Sequence, residues 1–263
     1  MRFKVVMNSI QGHYAIPINY NHPLSSAVYK MLHESSPEYS TWLHSNGFIN
    51  RLGKPLKLFC VSRIFTGKVK LIDNLLHGTG SINFFVSSPF ETDFPQHFIN
   101  GLLSADIVKI GNKSGGSNFE ISSVTQEKSP ILSNIEKYEL LSPASVSTVT
   151  SENDKKKIYY FRADDDGVEE ALCQNLLRKY ETLNRKPYSG YLNINLDKEY
   201  IAHHRKKLSK LVKIREGLAN ETRIKAFYCP LKIEAETDMQ QLAWDCGIGE
   251  RNSMGFGCLG IQE

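Results

Sequence analysis

Two successive stretches of this chain present the same order of signals: strand, helix, two strands, helix, strand. No other feature limits the fold as much. In the first stretch, Arg2 to Asn8 alternates, placing Phe3, Val5 and Met7 on one face of a predicted strand. A helix opens at Pro23 and repeats its apolar positions, Leu24, Val28, Met31 and Leu32, with the 3.6-residue period. Ser36 then caps a second, short helix with Pro37 at its first position, and Gly47 ends it. "KLFCVSRIF", "KVKLID" and "GSINFFVSS" read as strands. "TDFPQHFINGLLS" reads as a helix beginning around Asp93 to Pro95, and "DIVKIG" and "FEISSVTQ" as strands around the turn "GNKSGG".

Gln126 to Glu136 mixes Ser, Pro and charge, which reads as a linker. Beyond it the order repeats. "ELLSPASVSTVT" starts with a strand and "KKIYYFRA" is another. "DGVEEALCQNLLRKYETL" is an amphipathic helix with Val168, Leu172, Leu176 and Tyr180 on one face. "YLNINL", "KLVKIR" and "RIKAFYCPLKIEA" read as strands, "TDMQQLAWDCG" as a helix and "FGCLGI" as the last strand. The expected architecture is α+β: two ferredoxin-like (RRM-like) βαββαβ units in tandem, over residues 1–128 and 129–263.

A length of 263 residues with 41% hydrophobic content suits one large or two small domains with a real core. No apolar run is long enough to span a bilayer, and the first residues lack a secretory cleavage site. The five cysteines form no Cys-x-x-Cys pair, so neither a zinc knuckle nor a disulfide framework is expected; a reducing cytoplasm suits them. The net charge of +4 is unevenly placed: from His203 to Lys225 there are eight Lys or Arg against two Glu, a local +6. Such concentration suits a polyanion binder. The candidate RNA-facing residues in it are His203, His204, Arg205, Lys206, Lys207 and Lys210.

The most unusual local feature is "GIGERNSMGFG", Gly247 to Gly257, between a predicted helix and the last strand. Gly247 suits a helix C-cap. A dinucleotide loop runs from strand to helix, the reverse of this order, and a Walker loop needs Gly-Lys-Ser/Thr, which is absent. The remaining reading is a turn whose bare backbone at Gly249, Gly255 and Gly257 admits a polyanion, with Arg251, Asn252 and Ser253 as donors.

This C-terminal pattern of Gly-apolar-Gly, five residues, Gly-apolar-Gly resembles that of the CRISPR-associated repeat-RNA endoribonucleases of the RAMP superfamily. "HYAIPINYNHPLSSAVYKML" is similar to their first strand, turn and helix, and "LSPASVST" to the start of their second unit. The resemblance implies two ferredoxin-like units that bind the repeat of a CRISPR precursor transcript and cut it into guide RNAs without metal or other cofactor. Such cleavage proceeds by 2′-hydroxyl attack on the adjacent phosphorus, leaving a 2′,3′-cyclic phosphate and a 5′-hydroxyl. It needs a base, an acid and cations for the phosphorane charge, and histidine titrates in the right range.

Of eight histidines, the resemblance selects His44 in "TWLHSNG", at a helix end, where positive charge is favoured. It implies Tyr29 in "AVYKML" as an assistant, and a following lysine, either Lys57 in "LKLF" or Lys54 in "LGKP". Lys57 fits the start of the next strand, and Lys54 is otherwise a phosphate contact. A catalytically inactive repeat-RNA-binding subunit of an effector complex is the alternative. A tandem RNA-recognition module that stacks bases on the aromatics of "INFFVS" and "IYYFRA" is a third reading. No DNA or membrane partner is expected. A homodimer and association with other effector subunits are left open.

Overall fold

Residues 1–152, 155–204 and 207–262 are described by the structure, a computed structural model. The first unit comprises β1 (Arg2–Pro17), α1 (Asn21–Ser35), α2 (Pro37–Ser45), the short β2 (Phe48–Ile49) and β3 (Pro55–Leu56), three fragments β4 (Cys60–Val61), β5 (Phe65–Thr66) and β6 (Lys70–Ile72), then β7 (Leu75–Ser87), α3 (Asp93–Ser104), β8 (Val108–Asn112) and β9 (Gly115–Glu127). The second comprises β10 (Ile135–Leu140), β11 (Ser147–Glu152), β12 (Lys155–Tyr160), α4 (Val168–Asn184), β13 (Leu192–Leu196), α5 (Lys198–His204), β14 (Ser209–Ile214), β15 (Thr222–Phe227), β16 (Leu231–Ala235), α6 (Thr237–Cys246), a 3-10 turn at Asn252–Met254 and β17 (Leu259–Ile261).

The first sheet runs β4-β7-β1-β9-β8 and the second β13-β16-β10-β17. In each, the first and third strands of a βαββαβ unit lie side by side at the centre, flanked by the second and fourth. This is the ferredoxin-like arrangement, present twice. Phe3, Val5 and Met7 of β1 meet Leu24, Val28 and Met31 of α1 and Phe94 and Phe98 of α3 in one core. Leu172 and Leu176 of α4 meet Ile194, Ile233 and Met239 in the other. Each such side chain, fully buried, contributes about 1.5–3 kcal/mol. The period-3.6 and period-2 stripes of the sequence are therefore the faces that close the two cores.

Several strands differ from the expected ones. "KLFCVSRIF" with "KVKLID" is not two clean strands but three fragments, all paired with β7. At Ser62 the side chain takes over the ladder, its Oγ accepting from the Phe85 N–H at 2.8 Å. "RIKAFYCPLKIEA" breaks before Pro230, which has no N–H to give a ladder. Its first half pairs with β14 as a separate ribbon, and its second half joins the second sheet. The ends of the expected linker are strand, since β9 runs to Glu127 and β10 begins at Ile135. His203 and His204 end a short helix, α5, that the charge pattern did not suggest. Phe84 of "INFFVS" is fully buried in the first core, while Phe85 points to the opposite face of the sheet, half-buried edge to face with Phe65. Among the described residues, no helix is long and apolar enough to cross a membrane.

Candidate active site

The segment Gly247 to Gly257 fills the seam between the two units. Asn252 organises it from within: its Nδ2 donates to the carbonyls of Ile248 (2.9 Å) and Phe256 (3.0 Å), and its Oδ1 accepts from Lys179 Nζ at 2.7 Å. Phe256, fully buried, plugs a small core made by Val212 and Ile214 of β14 and Ile224 and Ala226 of β15. The first unit grips the same segment, because Asn21 Nδ2 donates to the carbonyls of Met254 and Gly255, both at 3.1 Å.

This packing changes the reason for the glycines. A Cβ on Gly257 would lie 1.9 Å from the Ile248 carbonyl oxygen, and one on Gly249 would lie 2.4 Å from that of Ser145. Both residues have positive φ, +65° and +66°. A Cβ on Gly255 would press on Asn21 Nδ2 at 2.9 Å. All three are buried. The expected backbone approach to a polyanion is corrected: what comes close to these glycines is the protein's own chain. Asn252 is spent on internal bonds in the same way. Of the expected loop donors Arg251 is exposed, while Ser253 is buried and faces Tyr29.

The structure brings Tyr29, His44 and Lys57 together. The Tyr29 and His44 rings meet edge to face, with centroids 5.2 Å apart. The phenol also faces the Ser253 hydroxyl, so one side chain links α1, α2 and the glycine-rich turn. Burial pushes the Tyr29 phenol up to about 12, with the Ser253 bond opposing. Lys57 Nζ donates to the carbonyls of Leu43 (2.5 Å) and His44 (2.6 Å), placing a cation on the last turn of α2. Burial pulls the Lys57 ammonium below its usual range. Two of its three N–H groups are thus engaged, leaving one.

Beside this cluster lies a cleft of about 720 Å³ between the units. Lys54, Lys57, Arg178, Lys179 and Arg251 line it, with Glu250 as the one carboxylate among its described lining residues. Glu250 is held by Ser147, whose Oγ donates to it at 2.9 Å. Lys54 stands exposed on the turn between β2 and β3, apart from the contacts that tie Lys57 to His44. The basic segment is elsewhere. His203 and His204 turn their Nδ1 atoms to the carbonyls of Glu199 and Tyr200, and Lys207 is exposed. Lys210 lies half-buried on β14 near Arg63, and burial pulls its ammonium down. None of these lines the cleft. Arg205 and Lys206 lie outside the described residues.

Sequence reasoning missed Lys179 and Arg178. The signal was there: Lys179 follows Leu172 and Leu176 on the core-facing stripe of α4, where a lysine needs a partner. It is 4% exposed and holds the turn through Gly247 O and Asn252 Oδ1, both at 2.7 Å. Burial pulls its ammonium from 10.5 to about 8. Between those values the unfolded chain binds the extra proton, so this residue makes stability rise with pH from about 8 to 10.5. The stability of the wild type relative to Lys179→Met is therefore expected to improve by roughly 1–3 kcal/mol across that window. Denaturant titrations at both ends measure it, and a difference independent of pH contradicts it.

Residues 15–124 match the family model described as CRISPR-associated protein Cas6, N-terminal. Residues 125–261 match CRISPR associated protein Cas6, C-terminal. The CRISPR-associated endoribonuclease Cas6 1 of Methanocaldococcus jannaschii is 26% identical, over 93% of this chain and 86% of that protein. The putative CRISPR-associated endoribonuclease-like protein Cas6 of Pyrococcus furiosus is 23% identical, over 100% of this chain and 99% of its own. Among solved structures, a Cas6-related protein from Pyrococcus furiosus superposes with a TM-score of 0.80 at 21% identity, covering 100% of this chain and 98% of that one. A RAMP protein described as binding different RNA substrates also gives 0.80, at 17% identity and with 100% of both chains covered. These two likenesses concern the fold.

Proposed function

The chain belongs to the CRISPR-associated Cas6 family, and on that premise we propose that it binds CRISPR repeat RNA and cuts the precursor transcript without a metal ion. The 2′-hydroxyl of one nucleotide attacks the adjacent phosphorus, the P–O5′ bond breaks, and a 2′,3′-cyclic phosphate and a 5′-hydroxyl remain. The single observation that carries this reading is Tyr29, which touches His44 on one side and Ser253 of the cleft on the other. It sets a proton-transfer residue one contact away from a cationic groove.

The roles follow from the chemistry of each group. His44 takes the 2′-hydroxyl proton, and the departing 5′-oxygen takes up a proton from solvent to leave as the 5′-hydroxyl. Tyr29, held at about 12, keeps its proton at neutral pH and serves as a hydrogen-bond donor to the phosphorane. Lys57 spends two N–H groups on fixing the end of α2 and directs its charge at the developing negative oxygens. Lys54, Arg178 and Arg251 hold neighbouring phosphates, and the basic segment with His203, His204, Arg205, Lys206, Lys207 and Lys210 holds RNA farther along. The proposed unit 1–128 carries the acid–base group, and unit 129–263 the glycine-rich turn.

End-labelled repeat RNA incubated in EDTA tests the reading. Cleavage is expected to persist, with a new 5′ end that a polynucleotide kinase phosphorylates directly. Cleavage that requires added metal, or products ending in 3′-hydroxyl, would overturn it. Binding without any cleavage would favour the inactive subunit.

A further inference from the structure

The seam between the two units holds two buried cations, and among the described residues no carboxylate pairs with either. One is Lys179. The other is Arg2 of β1, whose Nη1 and Nη2 donate to the carbonyls of Leu259 (2.7 Å) and Trp244 (2.6 Å) and whose guanidinium lies 3.4 Å over the Trp244 ring. Its Nε is buried with no hydrogen-bond partner. Buried charge of one sign is costly unless something nearby balances it.

Both cations act on a pair of thiols. Cys60 stands on β4 of the first unit, opposite Ser87 of β7. Cys258 stands between the last glycine of the turn and β17 of the second unit. Their side chains meet across the seam, fully buried, with the Cys60 thiol donating to the Cys258 sulfur. Each is held by its own unit. The Cys258 N–H donates to Ser142 Oγ at 2.9 Å and its carbonyl accepts from the Leu141 N–H at 2.8 Å. Cys60 Sγ also lies 3.6 Å from the Phe256 carbonyl oxygen. The bond from Cys60 holds the Cys258 thiol below its ordinary range, with Arg2 supporting this and burial opposing it. Burial pushes the Cys60 thiol up. Cys258 is therefore the member that carries negative charge, and a thiolate beside a guanidinium is the nucleophilic form.

We propose that Cys60 and Cys258 are a modification site, at which an oxidant of the peroxide class forms a disulfide that staples the first unit to the last strand of the second. The Cys258 thiolate attacks hydrogen peroxide; an S–O bond forms, the O–O bond breaks, and hydroxide leaves. That hydroxide takes the Cys60 proton and becomes water. The Cys60 sulfur then attacks the sulfenic sulfur, the S–S bond forms, the S–O bond breaks, and the second hydroxide leaves to be protonated to water. In sum, two thiols and one peroxide give one disulfide and two waters. Peroxide is little larger than water, so local opening of the seam suffices to admit it. The link would join residues about 200 positions apart, the kind of long loop whose closure most restricts the unfolded chain.

The full chain, reduced and then treated with hydrogen peroxide, tests this. After alkylation of the remaining thiols, a non-reducing peptide map is expected to show one cross-linked pair, Cys60 with Cys258, and alkylated Cys173, Cys229 and Cys246. The oxidised protein is expected to melt at least about 5 °C above the reduced one, and dithiothreitol should abolish both changes. Cys258→Ser should lose the link and the shift, and Cys173→Ser should keep both. Should Cys258→Ser fail to fold, the wild-type map decides alone. Two alkylated thiols at these positions after oxidation, over-oxidation of Cys258 without a link, or a link to Cys246 instead would overturn the proposal. None of these outcomes bears on the RNA-cleaving reading, which has its own assay.

Discussion

His44→Ala lowers single-turnover cleavage of repeat RNA by about a hundredfold or more, the usual loss when a positioned proton-transfer group is removed. The imidazole is exposed on the last turn of α2, and its carbonyl, not its ring, accepts from Lys57 at 2.6 Å. Truncation therefore leaves the helix end and the Lys57 cation in place. The melting temperature and the RNA affinity are expected to stay near those of the wild type. That separation makes the result interpretable, since a misfolded or non-binding variant would lose activity for another reason. Tyr29→Phe, which keeps the edge contact but removes the hydroxyl facing Ser253, serves as the companion variant with a smaller loss. Near-normal single-turnover cleavage by His44→Ala would falsify the assignment and move attention to another proton-transfer group.

The second large effect is on stability. Gly257→Ala is expected to cost several kcal/mol, although it adds a single methyl group. The positive φ of +65° contributes about 1–2 kcal/mol of backbone strain for a residue with a Cβ. The methyl would also stand 1.9 Å from the Ile248 carbonyl. That contact can be relieved only by moving backbone that is bonded on both sides: Ile248 N–H donates to Gly257 O at 2.9 Å, and Gly257 N–H donates to Pro143 O at 2.9 Å. Overpacking of this kind adds about 1–3 kcal/mol. Phe256, next along, anchors the β14–β15 ribbon, so the damage spreads to that ribbon. Thermal melting beside Arg251→Ala, which alters an exposed side chain of the same turn, checks the claim. If Gly257→Ala melts with the wild type, the turn is looser than its contacts indicate.

The amino-acid sequence by itself determined the two ferredoxin-like units. Their strands and helices are set by local periods, and Phe3, Val5 and Met7 or Leu172 and Leu176 can each bury in only one way. It also contained His44, Tyr29 and Lys57 as candidates, but it could not choose between Lys54 and Lys57 as neighbours of His44. That choice depends on where β3 leads the chain relative to the end of α2, which is a matter of tertiary packing.

Only the tertiary structure decided what the glycines are for. From the sequence, a Gly-rich turn with an arginine reads equally as a ligand cradle or as a tight seam, because both need an absent Cβ. The difference lies in which atoms occupy the vacant space, and those atoms belong to Ser145, Ile248 and Asn21, two of them distant in sequence. Lys179 was hidden for the same reason. A lysine on a core stripe becomes intelligible once Gly247 O and Asn252 Oδ1 arrive from 68 and 73 residues away to receive it. Local pattern fixes which face of an element is buried, whereas what meets that face is fixed by chain segments that the local pattern does not see.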